Sequence, residues 1–328
     1  MASRSRRRAF LVAVGISAAG LFVLGLFLAV GAWQRTRPTM LEVLYGVPCM
    51  AFSPRGDVLA VGVGDAVRVD LLSVRDGTTL DSLRGDAETG GVCSVAFDSS
   101  GRLLIFGDTY DQVHLWSLDE RRELAVLGSR DSGFCVESAC FARDGRHVAA
   151  LSVKGAHLWR LEDRSEVTLQ CTNLSTGSSL AFLSDGNVGV VDWANWAAVF
   201  DTSGHELVNL RAKACRICSG KDAFVDEDRE EPFLRVRSIL DGHVLARVPR
   251  QEDPYRVSES SDLSMLAVGH SRVELRREAD GSLVRRLPGP SGGYCSAMAF
   301  SPGATSLLAL AWSNGEVHVF RCDAWPYR

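Results

Sequence analysis

The sequence predicts an all-β fold: a seven-bladed β-propeller of four-stranded blades, preceded by a single N-terminal transmembrane α-helix. Three observations predict it. A phenylalanine that closes a short apolar run recurs at intervals of roughly 40–45 residues, the period of four-strand propeller units. A strand-like frame of apolar–x–apolar–aromatic recurs once per interval. The N-terminus carries one long uncharged apolar run ahead of the first interval.

The anchors are Phe52, Phe97, Phe141, Phe182, Phe224 and Phe300, with Glu259 standing where one phenylalanine is missing; the spacings are 45, 44, 41, 42, 35 and 41 residues. An apolar second strand ends ten residues later at Gly62, Gly107 and Gly269. The third-strand frame is clearest in Val113-His114-Leu115-Trp116, Ala156-His157-Leu158-Trp159, Ala197-Ala198-Val199-Phe200 and Val317-His318-Val319-Phe320. Weaker copies run Val67–Asp70, Leu234–Arg237 and Val273–Arg276. Alternation of this kind suits a strand whose faces meet different surroundings. Turns such as Asp76-Gly77, Ser203-Gly204, Asp241-Gly242 and Asp280-Gly281 follow, supplying the positive φ of tight hairpins. A fourth strand then carries apolar residues three apart, as at Leu80 and Leu83 or Leu245 and Val248.

Only eight residues follow Phe320, too few for a fourth strand in the last unit. Met40-Leu41-Glu42-Val43-Leu44 copies the fourth-strand spacing, so strand 39–45 is expected to pair beside Glu316–Phe320 and close the ring.

Over residues 39–328 the chain resembles the WD-repeat family. The resemblance rests on the Ser53-Pro54-x-Gly56 and Ser301-Pro302-Gly303 turns and on Leu115-Trp116 and Leu158-Trp159. No Trp-Asp dipeptide follows the third strands and no Gly-His dipeptide opens the units. The resemblance implies a binding face on the side opposite the start of the fourth strands, called the top.

Ala9 to Trp33 is a run of 25 residues without a charge. As a helix at ~1.5 Å per residue it spans a hydrocarbon core of about 30 Å with some tilt. It follows a basic tail, residues 1–8, with Arg4, Arg6, Arg7 and Arg8; only Arg35 and Arg37 come after. The positive-inside rule then sets the N-terminus in the cytoplasm and the propeller outside it. The competing reading is a cleaved signal peptide, with Arg7-Arg8-Ala9-Phe10-Leu11 as a twin-arginine motif. The length of the run favours an uncleaved anchor that contacts the bilayer through residues 9–33. The linker 34–38 reaches at most ~18 Å, which sets the bottom face near the membrane.

Beyond residue 38 the chain has 30 basic and 40 acidic residues, a balance that argues against a nucleic-acid partner. His114, His157 and His318 occupy one place in three blades and cannot share an ion; they read as structural. No cofactor or metal motif is present, and no catalytic constellation is found. Cys215 and Cys218 form the one close pair, with local disulfide bonding as one reading and buried thiols as the other; Cys49, Cys93, Cys140 and Cys295 read as first-strand packing residues. The acidic run Asp226–Glu231 reads as a solvated loop. Asp192-Trp193-Ala194-Asn195-Trp196 lies where the chain turns on the top face, with Tyr110 and Trp312 in corresponding regions. These six residues, Tyr110, Asp192, Trp193, Asn195, Trp196 and Trp312, are candidate top-face binding residues; packing between blades is the competing role.

The function expected is a membrane-anchored, non-enzymatic protein-interaction scaffold or sensor. The alternative is an extracytoplasmic propeller that binds a small molecule or glycan, and behind it a propeller hydrolase or lyase.

Overall fold

The structure is a computed structural model. It describes residues 39–42, 46–86, 90–130, 134–171, 174–192, 196–218, 222–227, 231–249, 256–260, 264–302 and 307–322, with backbone alone at 39–42 and 214–215. The predicted helix 9–33 and its flanks lie outside these residues. Among the described residues no helix is long and apolar enough to cross a membrane.

Every regular element described is a strand, and the strands form seven antiparallel sheets of four. Six sheets are consecutive in the chain. Blade 2 is typical: Val92–Phe97, Leu103–Asp108, Val113–Ser117 and Arg122–Leu127. The seventh is composite, with Cys295–Phe300, Leu307–Trp312 and Glu316–Arg321 completed by Thr39–Glu42. Thr39 pairs with Val319 and Glu42 with Glu316, beside Glu316–Phe320 as expected, with residues 43–45 outside the described residues.

The core consists of seven apolar clusters, and each joins two neighbouring blades. The two-residue period of the strands produces this division. In the third strand of blade 4, Ala198 and Phe200 pack towards blade 3, while Ala197 and Val199 pack towards blade 5. The cluster between blades 7 and 1 joins Leu59 and Val61 to Ala309, Ala311 and Val317. Each fully buried valine or leucine of this kind contributes about 1.5–3 kcal/mol. In the fourth strands of blades 1 and 5 the second residue of the apolar pair, Leu83 or Val248, is buried, while the first, Leu80 or Leu245, stands exposed on the rim.

Six of the seven anchors end first strands as expected, Glu259 among them. Phe224 does not. The first strand of blade 5 is Ala214–Cys218, and Phe224 lies fully buried in the second, Ala223–Glu227. Cys218 is the true counterpart of the anchors. The acidic run is corrected with it: Asp226 and Glu227 are buried at the end of that second strand.

The weak copies of the third-strand frame have a common physical basis. Residues two apart on this strand share the face turned to the preceding blade. Blades 2, 3 and 7 place histidine and an aromatic there: His114 with Trp116, His157 with Trp159, His318 with Phe320. The His157 and Trp159 rings stack at 5.6 Å, and His318 meets Phe320 edge-on at 6.2 Å. Blades 1, 5 and 6 use ion pairs instead. Arg68 Nη2 donates to Asp70 at 3.2 Å, Arg235 and Arg237 reach Asp226 at 3.0 and 2.9 Å, and Arg276 and Arg286 bind Glu274 at 2.5 and 3.0 Å. Loss of the aromatic in these blades is thus an exchange of one buried filling for another.

His114 is the most enclosed of the histidines. Its ring is fully buried, stacks on Phe106 at 4.6 Å, and lies 2.5 Å from Glu123 Oε1 and 3.3 Å from Asp108 Oδ2. Burial works against its protonation, but the hydrogen bonds and charges of Asp108 and Glu123 outweigh it, so its pKa is raised above 6.5. A raised histidine stabilises fully below the unfolded value and loses that contribution as pH climbs through the folded one. His114→Ala should therefore lower stability by about 3 kcal/mol. The gap in melting temperature between variant and parent should be wider at pH 6 than at pH 9, as scanning calorimetry would read; a gap that widens with pH would contradict this assignment.

Candidate interaction face and central channel

The top face is built from the loops that leave second strands and enter first strands. Two second strands end on a buried aspartate, Asp108 and Asp192, and a third carries buried Asp226 one residue before its last, Glu227. Each is positioned by the strand and accepts at least one hydrogen bond from a neighbouring loop. Asp108 accepts from the N–H of Tyr110 and of Gln112, both at 2.9 Å, besides facing His114. Asp192 accepts from Ser175 N at 2.8 Å, Ser175 Oγ at 2.6 Å and Ser178 Oγ at 3.2 Å. Asp226 accepts from Lys213 N at 3.0 Å. Such carboxylates, removed from water, hold loop backbone in one conformation.

The predicted site residues separate on this frame. Tyr110 is half-buried on the top face, with the Arg130 guanidinium 5.1 Å from its ring centre. Asp192 fixes the segment entering blade 4 and is itself inaccessible. Trp196 opens the third strand of blade 4, pairs with Asp192, and packs half-buried against the core between blades 3 and 4. Trp312 is fully buried between blades 6 and 7, so it offers no surface to a partner. The correction has a simple cause: Trp312 is the last residue of its second strand, and that place lies inside the blade interface. Trp193 and Asn195 fall outside the described residues.

Two groups on this face escaped the sequence reading. Tyr294 enters the first strand of blade 7, is 49% exposed, and stacks on His270 of blade 6 at 5.0 Å. Phe134 enters blade 3, bridges Tyr110 through the backbone, and carries Lys154 Nζ 4.3 Å from its ring centre. Both aromatics lie within four residues before a first strand. The signal was their position relative to the strand, not the local composition.

The first strands of all seven blades wall a central channel of about 600 Å3. Cys93 and Cys135 form a disulfide in this wall, tying the first strand of blade 2 to the segment entering blade 3. This corrects the reading of Cys93 as a packing residue. Cys295 does pack: it is buried, and burial pushes its thiol up to about 12. Cys218 is buried in the core between blades 5 and 6, and the side chain of Cys215, with any bond between the two, lies outside the described residues. Charged groups in the channel are Glu137, Arg216, Arg256 and Glu259.

The strand plan gives meaning to a match with known proteins. Residues 77–117 match the WD40 family, described as WD domain, G-beta repeat. That stretch covers the fourth strand of blade 1 and three strands of blade 2. The sequence repeat is therefore staggered by one strand against the structural blade. The same stagger leaves Thr39–Glu42 to complete blade 7. Among curated proteins the chain is similar to a "Periodic tryptophan protein 2 homolog" of Schizosaccharomyces pombe, 30% identical over 122 residues, or 37% of this chain and 14% of that protein. A protein of the same description from Neurospora crassa is 36% identical over 107 residues, 33% of this chain and 12% of its own length. A third, from Dictyostelium discoideum, is 25% identical over 147 residues, 45% of this chain and 13% of its own length. The matched segment thus spans about a seventh of these relatives or less.

Proposed function

We propose that the chain is a non-enzymatic protein-interaction scaffold or sensor, anchored in a membrane by residues 9–33 and binding its partner through the top-face loops. The observation that carries this reading is the set of aromatic and cationic side chains presented on those loops: Tyr110 beside Arg130, Phe134 beside Lys154, and Tyr294 on His270. Aromatics and arginine dominate the energetics of protein interfaces. The Tyr110 loop is held by buried Asp108 and the Tyr294 N–H by the Ser313 hydroxyl, which lowers the ordering cost of binding. The WD-repeat match of residues 77–117 supports the same class of function.

An extracytoplasmic location for the propeller draws support from two features. Basic residues lead the apolar run 9–33. The Cys93–Cys135 disulfide suits an oxidising compartment.

Photo-reactive aromatic analogues placed at Tyr110 and at Tyr294 should crosslink a partner polypeptide in cells, and one placed at Leu80 on the rim should not. Adducts confined to Leu80 would overturn the choice of face. Alkaline phosphatase fused after Arg328 should be active in the membrane fraction, with the Cys93–Cys135 peptide recovered under non-reducing digestion. An inactive phosphatase, with a cytoplasm-only fluorescent reporter bright at the same site, would reverse the topology.

A further inference from the structure

The channel holds an uneven arrangement of charge. On one side Glu137 accepts the Gly177 N–H, and that bond occupies one of its oxygens. The opposite wall is made by three consecutive first strands, Ala214–Cys218, Arg256–Glu259 and Cys295–Phe300, which carry Arg216, Arg256 with Glu259, and Ser296. Arg216 and Arg256 are both exposed within the channel. Arg256 Nε donates to Ser296 O at 2.8 Å, which holds the guanidinium across the gap between blades 6 and 7. Its terminal nitrogens have no hydrogen-bond partner among the described residues. Arg216 Nε stands 3.9 Å from Glu259 Oε2, too far for a hydrogen bond.

The same wall has two buried oxygens without a hydrogen-bond partner, Glu259 Oε2 and Ser296 Oγ. Such an atom is destabilising unless something binds it. Burial raises the Glu259 carboxyl above the usual range, against the pull of Arg216. Two guanidiniums, Arg216 and Arg256, thus share this wall with a single carboxyl, Glu259.

We propose that Arg216, Arg256, Glu259 and Ser296 form a binding site for a small organic polycarboxylate inside the channel. A planar guanidinium presents paired N–H groups that match the two oxygens of a carboxylate. Two guanidiniums on neighbouring strands suit a molecule with two carboxylates. A cavity of about 600 Å3 is the size of an organic ligand site, far larger than one inorganic ion needs. None of these residues belongs to the top-face loops, so this site and the scaffold reading stand or fall separately.

The test is calorimetric titration of the full chain, purified in detergent, with citrate, with succinate and with inorganic phosphate. Citrate is expected to bind at one saturable site with a sub-millimolar Kd, and phosphate at least about tenfold more weakly. Arg216→Gln and Arg256→Gln should each weaken citrate by about tenfold or more, with unchanged circular dichroism because both side chains are exposed. Arg256→Lys should recover only part of the loss, since it keeps the charge without the fork. No saturable binding of citrate or succinate would overturn the proposal. So would citrate affinity unchanged in an Arg216→Gln/Arg256→Gln double variant, or phosphate binding as tightly as citrate.

Discussion

A propeller blade cannot bury its own faces, and the rest of this structure depends on that constraint. Each of the seven apolar clusters draws its residues from two blades, so every blade is stable only between neighbours. An open arc of blades would leave both terminal faces in water. Thr39–Glu42 resolves the problem by pairing with Glu316–Arg321, at the far end of the chain. The first and last described strands become neighbours, and the cluster between blades 7 and 1 is assembled from residues more than two hundred positions apart. Loop-closure entropy grows only slowly with such separation, so one short strand can hold the ring.

The same constraint explains how the polar groups are used. The third-strand face turned to the preceding blade must be filled, yet its filling changes from histidine with an aromatic to arginine with a carboxylate. Both fillings pair polar groups across the blade, as His157 does with Glu166 and Arg237 with Asp226, and buried pairs of this kind add little net stabilisation. Buried aspartates at the ends of second strands extend the logic outward. Asp108 and Asp192 carry no binding surface themselves, yet they fix the loops on which Tyr110 and the Ser175–Ser178 segment lie. The strands and the candidate interaction face are joined through these carboxylates.

The repeat made most of the fold legible. Phe52, Phe97, Phe141, Phe182 and Phe300 end strands where their spacing placed them, and the stagger of the repeat located the closing strand. Blade 5 was misread because its first strand ends on Cys218 instead of phenylalanine. The nearby Ala223-Phe224-Val225 is an equally apolar β-rich run, and periodicity alone does not tell a first strand from a second. Trp312 was misjudged because a residue at the end of a second strand and one just beyond it look alike in sequence, while only the second reaches solvent. The Cys93–Cys135 bond was hidden by its 42-residue separation, one blade apart, among nine cysteines with many possible pairings. The charged wall of the channel was illegible for a similar reason. Arg216, Arg256 and Ser296 converge only when the ring is closed.

Native-state hydrogen exchange at Thr39–Glu42 tests ring closure most directly. If this strand locks the ring, its amides engaged with Glu316–Arg321 open only with blade 7 as a whole. They should then exchange with the same free energy as the amides of Leu307–Trp312. Exchange of Thr39–Glu42 at the rate of a free chain, with Leu307–Trp312 still fully protected, would show that the ring holds without its N-terminal strand and would contradict the account.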